Sequence, residues 1–600
     1  MFDPPANALG ARMDLHNATL SAPAPLPPGS PAPSGSSAPL GYIVGGGLKE
    51  GFRIRLTVPA DTVQEGSFVV CESGRYRYFG LVTDLQLGAT DPRFADEQSD
   101  RLPAVMRRAL YGKTLYTTLA VYPTLMLDLG PDLTAPERAE WQARVDSGEE
   151  NPGPKPVKTV PAHHAPTRPA DAADVAAIFG QEGGTNFVVG HTIEQGYPVC
   201  LDLERFVKRS SGIFGATGTG KSFLTRMVLA GLMKSDVAAA LVFDMHNEYG
   251  YDDRDADRGT PVRGLKSMFG QKVQIAGLGK DTRVRGSSAD FTLELALGDF
   301  GAADILLLAE TLDLNETAAV TLGALERSFD RRWFAEFMAM KPGAVIEDDN
   351  GRKVPAGDSV AYWANGQNVH PTAAESLHRK LQPIYRKSYV VERPAADAVK
   401  AIVDQLENGR HVILSFGEHD NELDYMLVSN VLTRRIRQEW VRKTENHKSF
   451  GEAPPRPLVI AVEEAHKLLS PTVAGQTAFG TIARELRKYN VTLLIVDQRP
   501  SGIDDEVMSQ LGTRVTGWLG DEDDIRAVLS GLAGREQLRG MLARLQEKEE
   551  VLLLGWGVKM PIPIRSRRYD QRFYDEMRGR PSPTLPGERY TLQNANDDLF

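Results

Sequence analysis

Residues 215 to 222 read GATGTGKS, which places three glycines ahead of a lysine and a serine. Glycines at this spacing let the backbone turn its N–H groups inward, where they can surround a phosphate. The lysine adds a positive charge for phosphate oxygens, and the serine hydroxyl can reach Mg²⁺. This stretch therefore predicts a loop that binds the phosphates of a nucleotide.

The elements around this loop support the prediction. An apolar strand is expected at Ser211–Phe214, and SFLTRMVLAGLM after the loop has the composition of a helix. A phosphate loop needs this order, because the N-terminus of the helix adds its dipole to the site. A glycine-rich turn met by chance is the alternative, and it would not require the strand and the helix. The residues expected to contact the nucleotide are Gly215, Ala216, Thr217, Gly218, Thr219, Gly220, Lys221, Ser222 and Phe223.

A second apolar run, PLVIAVEEAHKLLS at 457–470, ends in the adjacent acids Glu463 and Glu464. In nucleotide hydrolysis one carboxylate supports Mg²⁺ and another orients the attacking water and takes its proton. We expect Glu463 near the metal and Glu464 as the general base. A solvated helix start is the alternative, since acids favour a first helical turn; the phosphate loop favours catalysis.

Two further strands are expected to deliver polar groups to the same edge of the sheet. ALVFDMHNEYG supplies Asp244 and Glu248, and VTLLIVDQRPSGID supplies Gln498. Ligands bind outside the carboxyl ends of parallel strands. Asp244 could therefore hold a magnesium water, and Gln498 could contact the γ-phosphate or the attacking water. Ordinary polarity at strand ends is the alternative for both.

The segment TAFGTIARELRKYN at 477–490 predicts an amphipathic helix with its apolar stripe on the sheet. Arg484, Arg487 and Lys488 then lie largely on its outer side. They form either a solvated basic face or an arginine finger that reaches the γ-phosphate of a neighbouring copy. Arg209, just ahead of the phosphate-loop strand, is a second candidate for such a finger.

Seven apolar, strand-length runs alternate with helical stretches from about residue 185, which predicts an α/β domain with a mostly parallel sheet. Short strands rich in β-branched and aromatic residues between 42 and 128 predict a small β-barrel. The expected organisation is a disordered Pro/Ala/Ser-rich arm at 1–40, a β-barrel domain at 41–180 with a Pro-rich loop near 145–175, an ATPase domain at 181–570 with a helical insertion at about 290–410, and a C-terminal tail at 571–600.

The composition is that of a globular protein: 42% of the 600 residues are hydrophobic, 25% are charged, and the net charge is −10. A protein coated in basic residues is excluded, although a ring could still line its channel with lysine and arginine. Two cysteines without a C-x-x-C spacing give no support to a disulfide framework. No apolar run approaches the roughly 18 residues that span a bilayer. A cytoplasmic protein without a membrane partner is expected.

Four motifs in order resemble the HerA branch of the HerA/FtsK superfamily of motor ATPases. They are KRSSGIFGATGTGKS, FDMHNEYG, VIAVEEAHKLL and ARELRKYNVTLLIVDQRPSGI. The departures are Met245 and Asn247, where the family usually has Pro and Gly, and Glu463 at the position of the magnesium acid. The resemblance covers about 40 to 570 and implies a RecA-like P-loop ATPase domain preceded by a HAS-barrel-like domain.

The resemblance also implies an activity. HerA proteins form hexameric rings that hydrolyse ATP with Mg²⁺ between subunits and translocate along double-stranded DNA. They work with the nuclease NurA to resect DNA ends before recombinational repair, which implies a nucleoid-associated location. By motif position, Lys221 and Ser222 would bind phosphate and Mg²⁺, Asp244 and Glu463 would support the metal, Glu464 would be the base, Arg487 would be the trans finger, and Arg209 would be a further phosphate-contacting arginine.

A translocating ring needs basic groups on loops that face its channel, where they grip phosphates without reading bases. For each candidate, an exposed solubilising charge is an equally good interpretation. The candidates are Arg263, Lys266, Lys272, Lys280, Arg283, Arg285, Arg379, Lys380, Arg386 and Lys387.

Two alternatives stay open at this stage. One is the same type of ring motor coupled to a different effector, in anti-phage defence or DNA transfer. The other is a nucleotide-gated scaffold that switches partners and moves nothing, against which the adjacent acids and the candidate finger argue.

Overall fold

A computed structural model describes most of the chain. The described residues are 39–90, 105, 115–254, 259–280, 282–284, 286–349 and 351–579, with only the backbone for 486 and 487. The arm expected at 1–40 lies outside the described residues except for its last two positions, and the expected tail is described as far as 579.

The first part of the described chain forms a closed barrel of six antiparallel strands. Around the barrel the order is β2-β1-β7-β3-β4-β5, and pairing of β2 with β5 closes it. A short strand, β6, extends the sheet from β5. The strands are β1 Gly41–Gly47, β2 Gly51–Leu56, β3 Phe68–Ser73, β4 Tyr76–Ala89, β5 Leu115–Asp128, β6 Lys155–Pro156 and β7 Pro166–Pro169.

Side chains on the two faces of strand β3 pack into two different hydrophobic cores. Val69 and Cys71 point into the barrel core, whereas Phe68 and Val70 belong to the large core of the following domain. Successive side chains of a strand point to opposite faces, so a continuous apolar run such as FVVC fills two cores at once.

The part of the chain that follows the barrel forms a twelve-stranded sheet. Its order is β17-β14-β22-β11-β23-β24-β10-β25-β26-β27-β8-β9. The strands are β8 Asn186–Thr192, β9 Pro198–Asp202, β10 Ser211–Phe214, β11 Ala239–Asp244, β14 Val273–Leu278, β17 Phe291–Leu293, β22 His411–Ser415, β23 Leu458–Glu463, β24 Val491–Asp497, β25 Thr513–Thr516, β26 Glu550–Gly555 and β27 Ile562–Ser566.

The first eight strands in that order pair in parallel, and the remaining pairings from β25 to β9 are antiparallel. All seven apolar runs recognised in the sequence are strands of the parallel part. Strands β26 and β27 pair as an antiparallel hairpin. The fold-class prediction is confirmed: an α/β ATPase fold with a mostly parallel sheet follows a small β-barrel.

Helices make up much of the remaining described chain. Outside the insertion they are Arg138–Asp146, Ala172–Phe179, Leu203–Val207, Lys221–Ser235, Leu265–Phe269, Glu422–Phe450, His466–Leu469, Ala478–Glu485, Asp505–Gln510, Glu522–Val528, Arg535–Ala543 and Gln571–Met577. Short strands outside the main sheet are β12 Asp253–Arg254, β13 Pro261–Val262, β15 Arg283–Val284, β16 Ser287–Ser288, β18 Leu295–Ala296, β19 Val345–Glu347, β20 Lys353–Pro355 and β21 Val390–Val391.

A helical segment lies between β17 and β22, where the sequence predicts an insertion. Its helices are Ala302–Leu306, Thr317–Phe329, Trp333–Ala339, Val360–Gly366, Pro371–Tyr385 and Ala398–Glu407. The aromatic side chains of Trp333 and Phe334 are buried among these helices. The buried Asp304 carboxylate ties the segment to the long helix through a salt bridge to Arg434 at 2.6 Å.

The helix predicted at 477–490 is shorter than expected. It ends at Glu485, and Leu486–Tyr489 continue as a 3₁₀ turn. Phe479 and Ile482 are buried against the sheet, as the apolar stripe predicts. Because a 3₁₀ turn has three residues per turn, side chains after Glu485 leave the α-helical register on which the sequence argument depended.

None of the helices in the described part of the chain combines the length and the apolar composition that crossing a bilayer requires.

A buried histidine in the sheet predicts a pH-dependent stability. His411 is completely buried, and its Nδ1 accepts a hydrogen bond from the Ala240 N–H at 3.2 Å. Burial lowers the pKa of His411 from 6.5 to about 4. The unfolded chain therefore binds this proton more readily, and stability falls as the pH drops from about 6.5 towards 4.

We expect the free energy of unfolding to fall by about 2 kcal/mol more in the wild type than in His411→Asn between pH 7 and pH 5. The Asn side chain keeps an acceptor for Ala240 and cannot take up the proton. Urea unfolding at both pH values measures the difference, with the exposed His163→Asn as the control. An identical pH dependence in the wild type and His411→Asn would contradict the assignment.

Candidate active site

The phosphate loop connects β10 to the helix Lys221–Ser235. Gly218 and Gly220 have φ values of +80° and +85°, a region that favours glycine. A Cβ on Gly215 would lie 2.6 Å from Thr219 Oγ1, so a side chain there would clash within the loop. No side chain caps the N-terminus of the helix. Its first N–H groups are therefore available to an anion.

Lys221 folds back across its own loop. Its Nζ donates to the Ala216 carbonyl at 2.8 Å, and the Thr219 hydroxyl donates to the same oxygen at 2.8 Å. Burial lowers the pKa of Lys221, and the nearby carboxylates of Glu464 and Asp497 oppose that shift. The lysine therefore lies close to Glu464, the acid that the sequence predicts as the general base.

The residues after the lysine follow the helix. Ser222 begins the first turn half-buried, with its backbone in the helix that the loop opens. The Phe223 ring lies 6.1 Å from the ring of Tyr569, and the Arg226 guanidinium stacks over Phe223. Phe223 therefore packs beside the loop at the start of the helix.

The segment that follows β25 forms backbone hydrogen bonds with the phosphate loop and with the end of β10. The Gly517 N–H donates to the Phe214 carbonyl at 2.8 Å, and the Ala216 N–H donates to the Trp518 carbonyl at 3.0 Å. These bonds fix the exit of β10, so the loop has a defined position at the carboxyl edge of the sheet.

Glu463 ends β23 as a buried carboxylate. Its Oε1 accepts the Tyr249 hydroxyl at 2.5 Å, and its backbone carbonyl accepts the Tyr425 hydroxyl at 2.7 Å. Its Oε2 is buried and accepts no hydrogen bond within the described residues. Burial and the neighbouring Asp244 raise the pKa of Glu463 well above its usual value.

Asp244 ends the neighbouring strand β11 and is also fully buried. Its two oxygens accept the backbone N–H groups of Glu248, Tyr249 and Gly250 at 2.7, 3.0 and 3.1 Å. Asn247 has a φ of +56° in this turn, a conformation that asparagine tolerates better than most residues. Asp244 therefore holds the turn that carries Glu248 and Tyr249.

These side chains fit a hard cation. A buried carboxylate oxygen without a donor is costly, and Glu463 Oε2 is such an atom beside a second buried acid. Oxygen ligands of this kind suit Mg²⁺, which is held largely by substrate phosphates and water. Within the described ranges no three His, Cys, Asp or Glu side chains are close enough to hold a metal by themselves.

A chain of hydrogen bonds links the phosphate loop to the expected base. The Thr217 hydroxyl donates to Gln498 Oε1 at 2.5 Å, and Gln498 Nε2 donates to Glu464 Oε1 at 3.0 Å. Glu464 has a φ of +46°, which is uncommon for a residue with a Cβ. The structure thus brings together three residues that the sequence assigned from separate motifs.

His466 is a residue that sequence reasoning missed. Its backbone N–H donates to Asp497 Oδ2 at 2.7 Å, and its Nδ1 lies 3.0 Å from the same oxygen and 3.8 Å from Glu464 Oε2. The hydrogen bond to Asp497 raises the pKa of His466. A signal was available, because His466 lies two residues after Glu464 and Asp497 ends the adjacent strand.

The described side chains of Arg209 and Arg484 make their contacts away from the phosphate loop of the same copy. Arg209 precedes β10 and therefore lies at the amino edge of the sheet, whereas the loop lies at its carboxyl edge. Arg484 forms salt bridges with Glu506 at 2.9 Å and Asp504 at 3.5 Å. Arg487 belongs to the 3₁₀ turn, and its side chain lies outside what the structure describes.

Several of the candidate DNA-contacting lysines and arginines are engaged within the chain. Salt bridges join Arg263 to Asp252, Lys266 to Asp290, Lys380 to Asp313 and Lys387 to Asp424. Arg283 is exposed in the β15–β16 hairpin, and Arg285 lies outside the described residues.

Comparison with known proteins finds sequence similarity to a helicase family model and to proteins named as DNA repair helicases. The family model described as "Helicase HerA, central domain" matches residues 187–436. The chain is 22% identical to the "DNA double-strand break repair helicase HerA" of Saccharolobus solfataricus over 534 residues, 88% of this chain and 91% of that protein. The protein of the same name from Sulfurisphaera tokodaii is 23% identical over 537 residues, 88% of this chain and 93% of that protein.

The solved structures that align with this chain have lower sequence identity to it than these relatives. The VirB4 structure from Thermoanaerobacter pseudethanolicus aligns with a TM-score of 0.41 and 15% identity, over 66% of this chain and 100% of that one. The plasmid coupling protein TrwB in complex with a GTP analogue aligns with a TM-score of 0.41 and 14% identity, over 67% of this chain and 94% of that one.

Proposed function

Because this chain belongs to the HerA family of P-loop ATPases and is an ATP-hydrolysing enzyme, we propose that it is an ATP-driven translocase and helicase on double-stranded DNA. It works as a hexameric ring with a NurA-like nuclease in DNA end resection for recombinational repair. The printed names of its relatives, DNA double-strand break repair helicases, support the substrate and the process.

One observation carries the enzymatic part of this proposal. The hydrogen bonds from Thr217 through Gln498 to Glu464 connect the loop that receives the phosphates to the carboxylate that activates water. A γ-phosphate bound in the loop competes for the hydrogen-bonding groups of Thr217 and Gln498. Its presence or absence therefore changes the hydrogen bonds that reach Glu464. Glu464 takes the proton of the attacking water, and Gln498 reports whether the phosphate has left.

The remaining residues bind and orient the nucleotide. The backbone from Gly215 to Gly220 surrounds the phosphates, Lys221 neutralises their oxygens, and Ser222 and Phe223 begin the helix behind them. Ser222, Asp244 and Glu463 hold Mg²⁺, directly or through water. When bound there, Mg²⁺ would supply positive charge that stabilises the negative charge developing during phosphoryl transfer.

The ring is part of the proposal because both candidate finger arginines are assigned to the nucleotide of a neighbouring copy. Arg209 precedes the four residues of β10, so it lies at the opposite end of that strand from its own phosphate loop. In this proposal an arginine from another copy neutralises the γ-phosphate. We assign that role to Arg487, with Arg209 as a further arginine at the same interface. A head-to-tail interface of this kind closes into a ring when its rotation closes.

Duplex DNA passes through the channel of the ring, where unpaired basic groups of the carboxyl-edge loops contact its phosphates. The β-barrel forms a second ring that faces the nuclease. The protein is cytoplasmic and nucleoid-associated in this proposal.

The test is ATP turnover by the purified full-length protein with and without duplex DNA. We expect duplex DNA to raise turnover severalfold, and we expect the protein to displace a triplex-forming strand from the duplex only when ATP is hydrolysed. Turnover that is indifferent to DNA, without strand displacement, would favour the nucleotide-gated scaffold instead. Displacement without any binding to a NurA-like nuclease would favour a motor with a different effector.

A further inference from the structure

Two arginines and a tryptophan meet at the amino edge of the sheet, away from the phosphate loop of the same copy. The Cζ atoms of Arg205 and Arg209 lie 4.3 and 4.5 Å from the ring centroid of Trp556. Both distances are short for cation–π contacts, which hold a guanidinium flat against an aromatic ring.

The sequence explains why these side chains converge. Arg205 lies in the short helix Leu203–Val207, and Arg209 follows two residues after the helix ends. Antiparallel pairing places Gly555 opposite Thr513, which brings Trp556 beside Gly512. The Trp556 N–H donates to the Gly512 carbonyl at 2.6 Å.

Gly512 leaves the space that Arg209 occupies. A Cβ at Gly512 would lie 2.5 Å from Arg209 Cβ, so a larger residue would push the arginine away from the ring of Trp556. The arginine is therefore held by a backbone contact on one side and by an aromatic ring on the other.

The positive charge of this cluster is not neutralised within the described chain. No described carboxylate forms a salt bridge with Arg205 or Arg209, and Arg209 Nε is buried without an acceptor. Lys208, in the same segment, does form a salt bridge, to Glu204 at 2.7 Å. Trp556 is 38% exposed, so the cluster is accessible from outside. A fixed pair of guanidiniums without a counter-charge fits an anion with several oxygens.

We propose that Trp556 is a positioning residue that holds Arg209 and Arg205 as a phosphate-contacting pair for the nucleotide of a second copy. The inference rests on the proposed ring, and it adds Trp556 and Arg205 to the trans site. The cluster lies at the amino edge of the sheet, whereas the phosphate loop of the same copy lies at the carboxyl edge. A single half-buried pair suits a polyphosphate better than DNA, whose backbone requires a row of cations.

The first test uses single substitutions in the full-length protein. We expect Trp556→Ala and Arg205→Ala to lower DNA-stimulated ATP turnover about tenfold, the order of effect expected from loss of a cation–π contact. Binding of an ATP analogue to each copy should be unchanged, because the phosphate loop is intact. Trp556→Phe, which keeps an aromatic face, should recover part of the activity, and Lys208→Ala should have no effect. Wild-type turnover in Trp556→Ala and Arg205→Ala would overturn the inference.

A mixing experiment separates this inference from the proposed ring. Lys221→Ala copies cannot use ATP but carry an intact cluster, so mixing them with Trp556→Ala should restore turnover at the Trp556→Ala sites. If Lys221→Ala rescues Arg487→Ala but not Trp556→Ala, the ring stands and the inference fails. If it rescues neither, the composite site itself fails. Loss of assembly in Trp556→Phe and Arg205→Lys would identify a subunit contact in place of a phosphate site, and would also overturn the inference.

Discussion

Replacing Glu464 with Gln is expected to leave ATP binding intact and to lower ATP turnover by about 10²- to 10⁴-fold, the usual contribution of a general base. The Gln side chain keeps the shape of Glu464 and can still accept the hydrogen bond from Gln498 Nε2, which is 3.0 Å long in the wild type. It cannot take a proton from the attacking water. The variant should therefore hold ATP and stall.

Single-turnover hydrolysis together with binding of a fluorescent ATP analogue separates the two effects. Glu445→Gln is a matched control, because it removes one exposed carboxylate from the long helix, where Glu445 lies 3.5 Å from Lys448. Wild-type turnover in Glu464→Gln would remove Glu464 as the base. Loss of ATP binding in the same variant would mean that this carboxylate acts on the loop and not on water.

Replacing Arg487 with Ala is expected to lower turnover by on the order of 10³-fold while each copy still binds ATP. An arginine supplied by a neighbour acts on the charge of the transition state, so its loss affects the chemical step and not the ground state. The expected effect is as large as that of Glu464→Gln, although the two residues would act from different copies.

The control for Arg487 is its neighbour Lys488, whose Nζ lies 5.1 Å from the ring centroid of Tyr489. Lys488→Ala removes a charge from the same turn and should retain turnover. Equal losses in Arg487→Ala and Lys488→Ala would indicate a damaged turn. Undiminished turnover in Arg487→Ala would leave Arg209 as the remaining candidate.

Much of the fold was predictable because its signals are local. Runs such as VTLLIVD are mostly apolar, as expected of a strand that is buried on both faces, and the structure contains each of them as a strand. The phosphate loop was predictable for the same reason, since its strand, glycines and helix are contiguous.

The contacts between strands were not predictable, because residue types and spacing do not specify which side chains meet. The sequence placed Gln498 at the sheet edge, but its bonds to Thr217 and Glu464 depend on the order of three strands. His466 was overlooked since a single histidine on a short helix is usually structural. Arg209 and Trp556 are 347 residues apart, so only the pairing of β25 with β26 brings them together.

Asp244 shows how an expected role can be shared with a structural one. Its position after β11 suits a metal, yet its oxygens already accept three backbone N–H groups of the following turn. Removing Asp244 would therefore disturb the turn that carries Tyr249, the hydrogen-bond donor to Glu463.

The central claim is that ATP is hydrolysed at an interface to which two copies contribute different residues. The most direct measurement mixes Glu464→Gln with Arg487→Ala, each inactive alone, and follows DNA-stimulated ATP turnover across mixing ratios. At equal amounts about a quarter of the interfaces combine Glu464 of one copy with Arg487 of the next, since a heterologous interface takes one side from each. The account predicts that turnover reappears and is greatest near that ratio. Turnover that stays at the level of the single variants at every ratio, in rings shown to exchange subunits, would contradict it.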